Sequence, residues 1–130
     1  MKVAPRVAVV DRSFLAHNVY KMILKPLGFT VFSYMTLREF KENFNFKKSG
    51  CRVFLVNSNT FGNHFDRHWE WFRGEAALKN VDKIFLCERE EKKFQSELKK
   101  MDRGHLLLRP FAPEQLEETV KKFYTGKSSV

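Results

Sequence analysis

Apolar and polar residues follow two patterns that alternate along the chain. Five short blocks are nearly continuous apolar runs, which are typical of strands buried on both faces of a sheet. These blocks are Arg6 to Val10, Phe29 to Tyr34, Cys51 to Val56, Val81 to Cys87 and His105 to Leu108. Between and after them lie longer blocks in which apolar residues recur every three or four positions, and this spacing predicts helices.

The longer blocks are bounded by residues that commonly start and stop helices. Ser13 and Thr36 are suited to cap helix N-termini, and Pro113 suits a first helical turn. Gly28 and Gly104 are placed to end helices. The predicted helices are Phe14 to Leu27, Leu37 to Phe46, His64 to Leu78, Glu88 to Met101 and Pro113 to Tyr124. In the first helix, the apolar positions that fit the helical period are Leu15, Val19, Met22, Ile23 and Leu27.

Strands that alternate with helices predict an α/β fold, in which a parallel sheet is covered by helices on both faces. Right-handed crossovers leave only a few topologies for such a chain. The sequence contains no internal repeat, low-complexity segment or domain boundary. We therefore expect one domain over residues 1–124, followed by a polar tail, 125–130, that is either a frayed end or the start of a linker.

Composition adds three expectations to this pattern. The 130 residues include 14 Phe, which predicts a bulky core with an aromatic surface patch left over. Cys51 and Cys87 are the two cysteines, and each lies in a strand-like run, which favours buried free thiols over a disulfide. No apolar run approaches the roughly 20 residues of a membrane span, and no signal peptide is recognisable, so we expect a cytoplasmic protein.

Candidate chemistry is sought at the carboxyl ends of the strands, where open α/β sheets bind their ligands. The residues at those ends are Asp11, Arg12, Asn57, Cys87, Glu88 and Arg109. Elsewhere, His64 and His68 lie four apart, as in some zinc sites. Because Phe65 stands where that zinc motif has Glu and no third ligand is evident, this pair favours a solvated helix start.

Four strand-end segments resemble the receiver domain of response regulators, the CheY-like fold, from about Val7 to Tyr124. They are Val9-Val10-Asp11-Arg12-Ser13, Leu55-Val56-Asn57, Ile84-Phe85-Leu86-Cys87 and Leu107-Leu108-Arg109-Pro110-Phe111. The resemblance implies a doubly wound, five-stranded parallel sheet of order 2-1-3-4-5. In that family an acidic pair holds Mg²⁺, the third strand ends in the phosphoacceptor Asp, the fourth in Ser or Thr, and the fifth in Lys-Pro. It also implies a cis Arg109-Pro110 bond, although X–Pro bonds are mostly trans.

The chain departs from the family at each of these chemical positions except Asp11. Arg12 replaces the second acid, Asn57 the phosphoacceptor, Cys87 the hydroxyl and Arg109 the lysine. An Asn amide cannot form an acyl phosphate, and Mg²⁺ prefers several oxygen ligands. The charges of Asp11, Arg12 and Arg109 sum to about +1, which repels a cation.

We therefore expect a pseudo-receiver that binds neither Mg²⁺ nor another metal or cofactor, and that is not an enzyme. No Gly-rich nucleotide loop and no nucleophile–base pair is found that would indicate an enzyme. Two positions of the Arg12 side chain remain open. Its guanidinium either pairs with Asp11 near the metal position of the family or points into solvent.

The net charge of +9 favours acidic partners. In the resembling family, the fourth helix, fifth strand and fifth helix form the usual surface for protein partners. On this chain, the residues predicted for that surface are Lys92, Lys93, Phe94, Lys99, Lys100 and Phe111. The same lysines are also consistent with an ordinary solvated helix. The alternative function is nucleic-acid binding, although the chain lacks a helix-turn-helix, zinc or RNP signature.

Overall fold

The computed structural model describes residues 5–46 and 48–125, and within them the predicted sheet is present. The strands are β1 (Arg6–Val10), β2 (Thr30–Tyr34), β3 (Val53–Asn57), β4 (Asp82–Glu88) and β5 (Gly104–Arg109). They pair in parallel in the order β2-β1-β3-β4-β5. The fold class and strand order are thus confirmed. Of the predicted tail, residues 126–130 lie outside the described residues.

The helices alternate with these strands but are mostly shorter than predicted. They are α1 (Phe14–Leu24), α2 (Leu37–Asn43), α3 (Phe65–Gly74), α4 (Lys92–Leu98) and α5 (Pro113–Thr125). In α1, Pro26 cannot donate a backbone hydrogen bond, so the last predicted turn becomes the 3₁₀ turn Lys25–Leu27. Gly28 then ends it with a left-handed φ of 97°. None of the helices in the described part of the chain is long and apolar enough to cross a bilayer.

Two apolar layers enclose the sheet. Val7 and Val9 of β1 point to the layer of α1 and α5, which includes Leu24 and Leu116. The alternate residues of β1 point to the opposite layer, where α2, α3 and α4 pack. That second layer holds most of the aromatic rings, among them Phe40, Phe54, Phe61, Trp69, Phe72, Phe85 and Phe94.

Of the apolar positions predicted to lie inward in the first helix, only Ile23 packs against the core, and Leu27 is exposed. The buried residues of α1 are His17, Tyr20 and Leu24. Leu15, Val19 and Met22 point to solvent instead. The aromatic surface patch expected from the high Phe content reduces to one ring, since Phe14 is the only exposed member of the 14 Phe.

Candidate functional site

The carboxyl ends of β1 and β3 lie side by side and carry the two residues that matter most for phosphoryl chemistry. Asp11 follows β1 directly, and Asn57 is the last residue of β3. Val10 is paired in register with Val56, so the next residues on the two strands are neighbours. Both side chains are buried, with 0% of Asp11 and 1% of Asn57 exposed. The sheet therefore brings these two predicted residues together.

The Asp11 carboxylate accepts four hydrogen bonds, two on each oxygen. Oδ1 accepts from the backbone N–H of Ser13 at 2.8 Å and from Nδ2 of Asn59 at 3.1 Å. Oδ2 accepts from the Tyr20 hydroxyl at 2.6 Å and from Nδ2 of Asn57 at 2.9 Å. A carboxylate has about four lone-pair sites, so this set leaves it saturated by neutral donors.

The pKa values of the two buried partners reflect this arrangement. Burial raises the pKa of the Asp11 carboxyl, but the four donors lower it by more, so the pKa lies below its ordinary value of 3.8. Burial and the neighbouring Asp11 charge both raise the pKa of Tyr20 far above its ordinary value. Tyr20 is therefore a neutral donor to an ionised carboxylate, which is the stronger class of hydrogen bond.

The orientation of the Asn57 amide is set from both ends. Its Nδ2 faces Asp11, while its Oδ1 accepts from the backbone N–H of Asn59 at 3.0 Å. The carbonyl oxygen of Asn57 also accepts from the Thr60 hydroxyl at 2.7 Å. These contacts hold the 3₁₀ turn Ser58–Thr60 against the end of β3. An Asn at this position therefore supplies the donor that a carboxylate could not.

Helix α1 adds a further contact behind Asp11. The ring of His17 is buried, and its Nε2 lies 2.8 Å from the carbonyl oxygen of Asp11. Since a carbonyl oxygen only accepts, Nε2 carries the proton in this contact. Asp11 is thus held to α1 through its backbone by His17 and through its side chain by Tyr20.

Arg12 does not pair with Asp11. Its side chain is exposed, and within the described residues no ion pair joins it to an acid. Its backbone N–H donates to Oδ1 of Asn59 at 3.3 Å. Asp11 already has four donors, so nothing draws the guanidinium inward, and of the two positions left open the solvent-facing one is observed.

Arg109 and Cys87 also lie outside the hydrogen-bond network of Asp11. Arg109 faces Glu88 in the register of β4 and β5, and its Nε lies 3.3 Å from the Glu88 carboxylate. Cys87 is buried in the layer of α2, α3 and α4. Burial, followed by the charges of Glu91 and Glu88, raises the pKa of its thiol to about 11.

The Arg109–Pro110 bond is cis, as the resemblance implied, and both cysteines are free thiols.

These residues do not fit the Mg²⁺ ion that the resembling family binds. Mg²⁺ needs oxygen ligands with free lone pairs, ideally from more than one carboxylate. Here one carboxylate is present, and its lone pairs face N–H and O–H groups. In residues 5–46 and 48–125, no group of three or more His, Cys, Asp and Glu side chains is placed to hold a metal ion.

Sequence reasoning missed Tyr20, Asn59 and His17. The signal for Tyr20 and His17 was available, since two polar aromatic residues three apart share a helix face with Leu24. For Asn59, the spacing Asn57-x-Asn59 is typical of a side chain that bonds to its own backbone two residues on. Neither signal identifies Asp11 as the acceptor, because that contact joins separate elements.

On the predicted partner surface, the four lysines Lys92, Lys93, Lys99 and Lys100 are exposed. Phe94 is 4% exposed and belongs to the core, because it packs against Phe61 and Trp69. Its placement on this surface is therefore corrected. Phe111 is half-buried against the layer of α1 and α5.

An open groove lies between α4 and β5, with a volume of about 440 Å³. Leu98, Gly104 and Leu106 line it, and Lys92 and Lys99 flank it. Leu106 is an exposed large apolar side chain. The surface thus combines an apolar groove with basic borders.

The arrangement of five parallel strands, with its site at the ends of β1 and β3, defines the receiver class of fold. The chemotaxis response regulator CheY4 of Vibrio cholerae superposes with a TM-score of 0.76 at 20% identity, over 93% of this chain and 99% of that one. A response regulator from Thermotoga maritima gives 0.73 at 21% identity, over 93% and 98% of the two chains. An adenylate cyclase from Rhodopirellula baltica gives 0.75 at 18% identity, over 98% and 94%.

These likenesses establish the CheY-like fold, which this chain shares with solved response regulators and with chains described as cyclases. No protein-family model matches the sequence, and a comparison with curated proteins finds no match either.

Proposed function

We propose that this chain is a pseudo-receiver, a signalling module that binds a protein partner without being phosphorylated. The observation that carries the proposal is the saturated Asp11 carboxylate, whose four donors include the amide at the position of the phosphoacceptor. An Asn amide is not a nucleophile for phosphoryl transfer. The pocket therefore has neither the acceptor nor a free acidic ligand for the metal.

The same contacts favour a domain that stays in one conformation. In an intact receiver, the phosphoryl group would recruit new contacts and shift the domain between states. Here Arg109 pairs with Glu88 rather than with the pocket, and Asp11 is held by α1 and by the turn after β3. A partner would bind the surface that already exists.

The partner surface that we favour is formed by α4, β5 and α5. Its groove between α4 and β5 is apolar at Leu98 and Leu106 and basic at Lys92 and Lys99. A protein segment that inserts an apolar side chain between acidic neighbours would match both features. Nucleic acid would use the charge but not the groove, which is why we place that alternative second.

A phosphorylation assay tests the first half of the proposal. The protein is incubated with Mg²⁺ and a small-molecule phosphodonor, and its intact mass is measured beside that of a receiver that keeps the acidic pair and the phosphoacceptor Asp. We expect the mass of this chain to stay unchanged while the reference gains a phosphoryl group. A phosphoryl adduct on this chain would refute the proposal.

A charge-reversal experiment tests the second half. Proteins are captured from a lysate of the cells that make this protein, with three baits. The baits are the wild type, the variant Lys92→Glu/Lys99→Glu and the charge-matched control Lys48→Glu/Lys79→Glu. We expect one captured protein to bind the wild type and the control but not Lys92→Glu/Lys99→Glu. Its binding to the wild type should be the same with and without the phosphodonor. Equal losses in both variants would argue against this surface.

The nucleic-acid alternative makes a different prediction. Binding to generic DNA would weaken steeply as salt increases, because each neutralised phosphate releases counterions. Tight, salt-dependent DNA binding by the wild type would promote that alternative over protein binding.

A further inference from the structure

One buried charge lies at the edge of the sheet opposite Asp11. In residues 5–46 and 48–125, five polar or charged residues are buried. Four of them belong to the site already described, namely Asp11, His17, Asn57 and Thr60. The fifth is Lys83, which is 2% exposed and is the second residue of β4. It therefore lies at the amino edge of the sheet, whereas Asp11 and Asn57 lie at the carboxyl edge.

The ammonium group of Lys83 has three donors but only two acceptors. Its Nζ donates to the carbonyl oxygens of Leu78 at 2.9 Å and of Val81 at 2.8 Å. Among the described residues no ion pair joins Nζ to an acid, and the neighbouring Asp82 is bonded to His105 instead. A buried charge without a counter-ion is costly, so the third donor is suited to a ligand that brings a negative charge.

The pKa of Lys83 is consistent with this need for an anion. Burial lowers the pKa below its ordinary value of 10.5, although the charges of Asp82 and Asp102 raise it in part. A negative charge beside Nζ would offset the effect of burial and favour the ammonium form.

Lys83 lines a pocket of about 400 Å³, which we call the Lys83 pocket. This volume lies within the range of small-molecule sites. One part of its wall is apolar and is formed by Phe72, Leu78 and Met101. The other lining side chains are charged and are Arg73, Glu75, Lys79, Lys100 and Asp102.

The charges that line the Lys83 pocket sum to +2, since four cations stand against two carboxylates. Two of the cations also have partners outside the lining, because Arg73 lies 3.4 Å from Glu70 and Lys100 lies 3.4 Å from Glu97. Both pairs are open to solvent, and such pairs contribute little to stability. A ligand can therefore replace them at small cost, and a dianion would neutralise the lining.

We propose that the Lys83 pocket binds a small organic phosphomonoester. The phosphate of such an ester is a dianion above its second pKa of about 6, which matches the charge of the lining. Its oxygens would accept from Lys83 and from the cations at the rim, while its carbon skeleton would contact Phe72, Leu78 and Met101. The pocket shares no residue with the Asp11 site or with the α4–β5 groove, so its ligand does not depend on the function proposed above.

Titration with phenyl phosphate tests the proposal, with three related compounds as controls. Phenol lacks the charge, phenyl sulfate carries a single charge, and inorganic phosphate lacks the apolar group. Binding is followed by amide chemical shifts at slightly alkaline pH and constant ionic strength. We expect phenyl phosphate to shift the amides of Leu78, Lys83 and Met101 saturably, with those of Asp11 and Asn57 unchanged. It should bind at least about tenfold more tightly than each control.

Three variants distinguish contacts in the pocket from general charge attraction. Lys83→Met keeps an unbranched side chain without the charge and should weaken phenyl phosphate about tenfold to a hundredfold, with thermal unfolding to verify the fold. Arg73→Gln/Lys100→Gln changes exposed side chains alone and should weaken it about threefold or more. Lys25→Gln/Lys48→Gln removes the same charge from exposed positions elsewhere and should leave the affinity unchanged.

The proposal is wrong if phenyl phosphate binds no better than phenol or phenyl sulfate, or if the shifts map away from the Lys83 pocket. It is also wrong if a folded Lys83→Met or the Arg73→Gln/Lys100→Gln variant binds as the wild type does. Equally tight binding of inorganic phosphate would assign the pocket to a free anion instead of an ester. Equal weakening by Lys25→Gln/Lys48→Gln would reduce the binding to general charge attraction.

Discussion

At the scale of single residues, the distinctive feature is that hydrogen-bond donors take the place of a cation beside Asp11. A buried carboxylate needs compensation, and in this chain Tyr20, Asn57, Asn59 and the Ser13 N–H provide it. The strand-end pattern predicted the proximity of Asp11 and Asn57. It did not predict the contacts from α1, since those depend on how the helix packs.

Removal of the Tyr20 hydroxyl should destabilise the protein measurably. Tyr20→Phe deletes a 2.6 Å hydrogen bond to a charged group, and such bonds contribute about 1.5–3 kcal/mol. The matched control is Tyr34→Phe, because the half-buried Tyr34 makes no hydroxyl hydrogen bond within the described residues and should change stability by about 0.5 kcal/mol or less. Denaturant unfolding compares the two, and equal losses would contradict the role of Tyr20.

The contribution of Asp11 to stability should depend on pH in a defined direction. Burial raises its pKa, but hydrogen bonds lower it by more, so the folded value is below the unfolded value of 3.8. The unfolded state then binds more protons, and the stability due to Asp11 is present above 3.8 and is lost as the pH falls through the folded pKa.

The variant Asp11→Asn tests this direction. Its unfolding free energy should lie below that of the wild type at neutral pH, and the gap should narrow as the pH falls below 3.8. Asp66→Asn, an exposed control on α3, should show a small gap at every pH. A gap for Asp11→Asn that stays constant between neutral and acid pH would contradict the account.

Restoring an acid at position 57 should create a need for a cation. In Asn57→Asp, a carboxylate oxygen would meet Oδ2 of Asp11 at the present 2.9 Å with no hydrogen between them. We expect a loss of about 1–3 kcal/mol without metal, part of which Mg²⁺ restores by bridging the two acids. Thermal unfolding with and without Mg²⁺ measures both effects.

The wild type and an exposed loop variant, Asn63→Asp, provide the comparison. Neither should gain stability from Mg²⁺ beyond a general salt effect. If Mg²⁺ stabilises Asn57→Asp no more than these two proteins, the amide of Asn57 does not replace a cation.

At the scale of elements, the apolar runs predicted all five strands to within two residues. Four of the five helices end earlier than predicted, and in α1 the cause is Pro26, which has no backbone N–H. The predicted fourth helix also begins later than predicted: the Glu91 carboxylate accepts from the backbone N–H of Glu88, and α4 begins only at Lys92. The buried face of α1 could not be predicted from its apolar period, since every position of that period except Ile23 is exposed.

The contact between α4 and β5 depends on a glycine. A Cβ at Gly104 would lie 2.8 Å from Cδ1 of Leu98 and 3.1 Å from Cβ of Met101, which is closer than packed atoms approach. We expect Gly104→Ala to cost about 1–3 kcal/mol as this connection shifts. Gly74→Ala, in α3 with open space at its Cβ, should be neutral or stabilising by up to about 1 kcal/mol.

Denaturant unfolding of the two alanine variants distinguishes them. Chemical shifts should move around Leu98 and Leu106 in Gly104→Ala alone. Equal stability of both variants would show that the α4–β5 connection accommodates the extra methyl group.

At the scale of the whole molecule, strand order followed from the alternation of strands and helices together with the receiver-like strand ends. The direction of long side chains could not be predicted in this way, since the Arg12 side chain is long enough either to pair with Asp11 or to extend into solvent. The net charge of +9 likewise indicates acidic partners without locating them. The structure adds an apolar groove with lysines beside it, between α4 and β5.

The most direct test of the central claim is a two-dimensional NMR titration of the wild type with millimolar Mg²⁺ followed by beryllofluoride, a mimic of the acyl phosphate. If the donors around Asp11 exclude the cation and Asn57 offers no acceptor, the amide peaks of Asp11, Asn57 and Arg109 will stay where they are. A saturable shift of these peaks would contradict the account, because it would show that the pocket still binds the ligands of a phosphorylation switch.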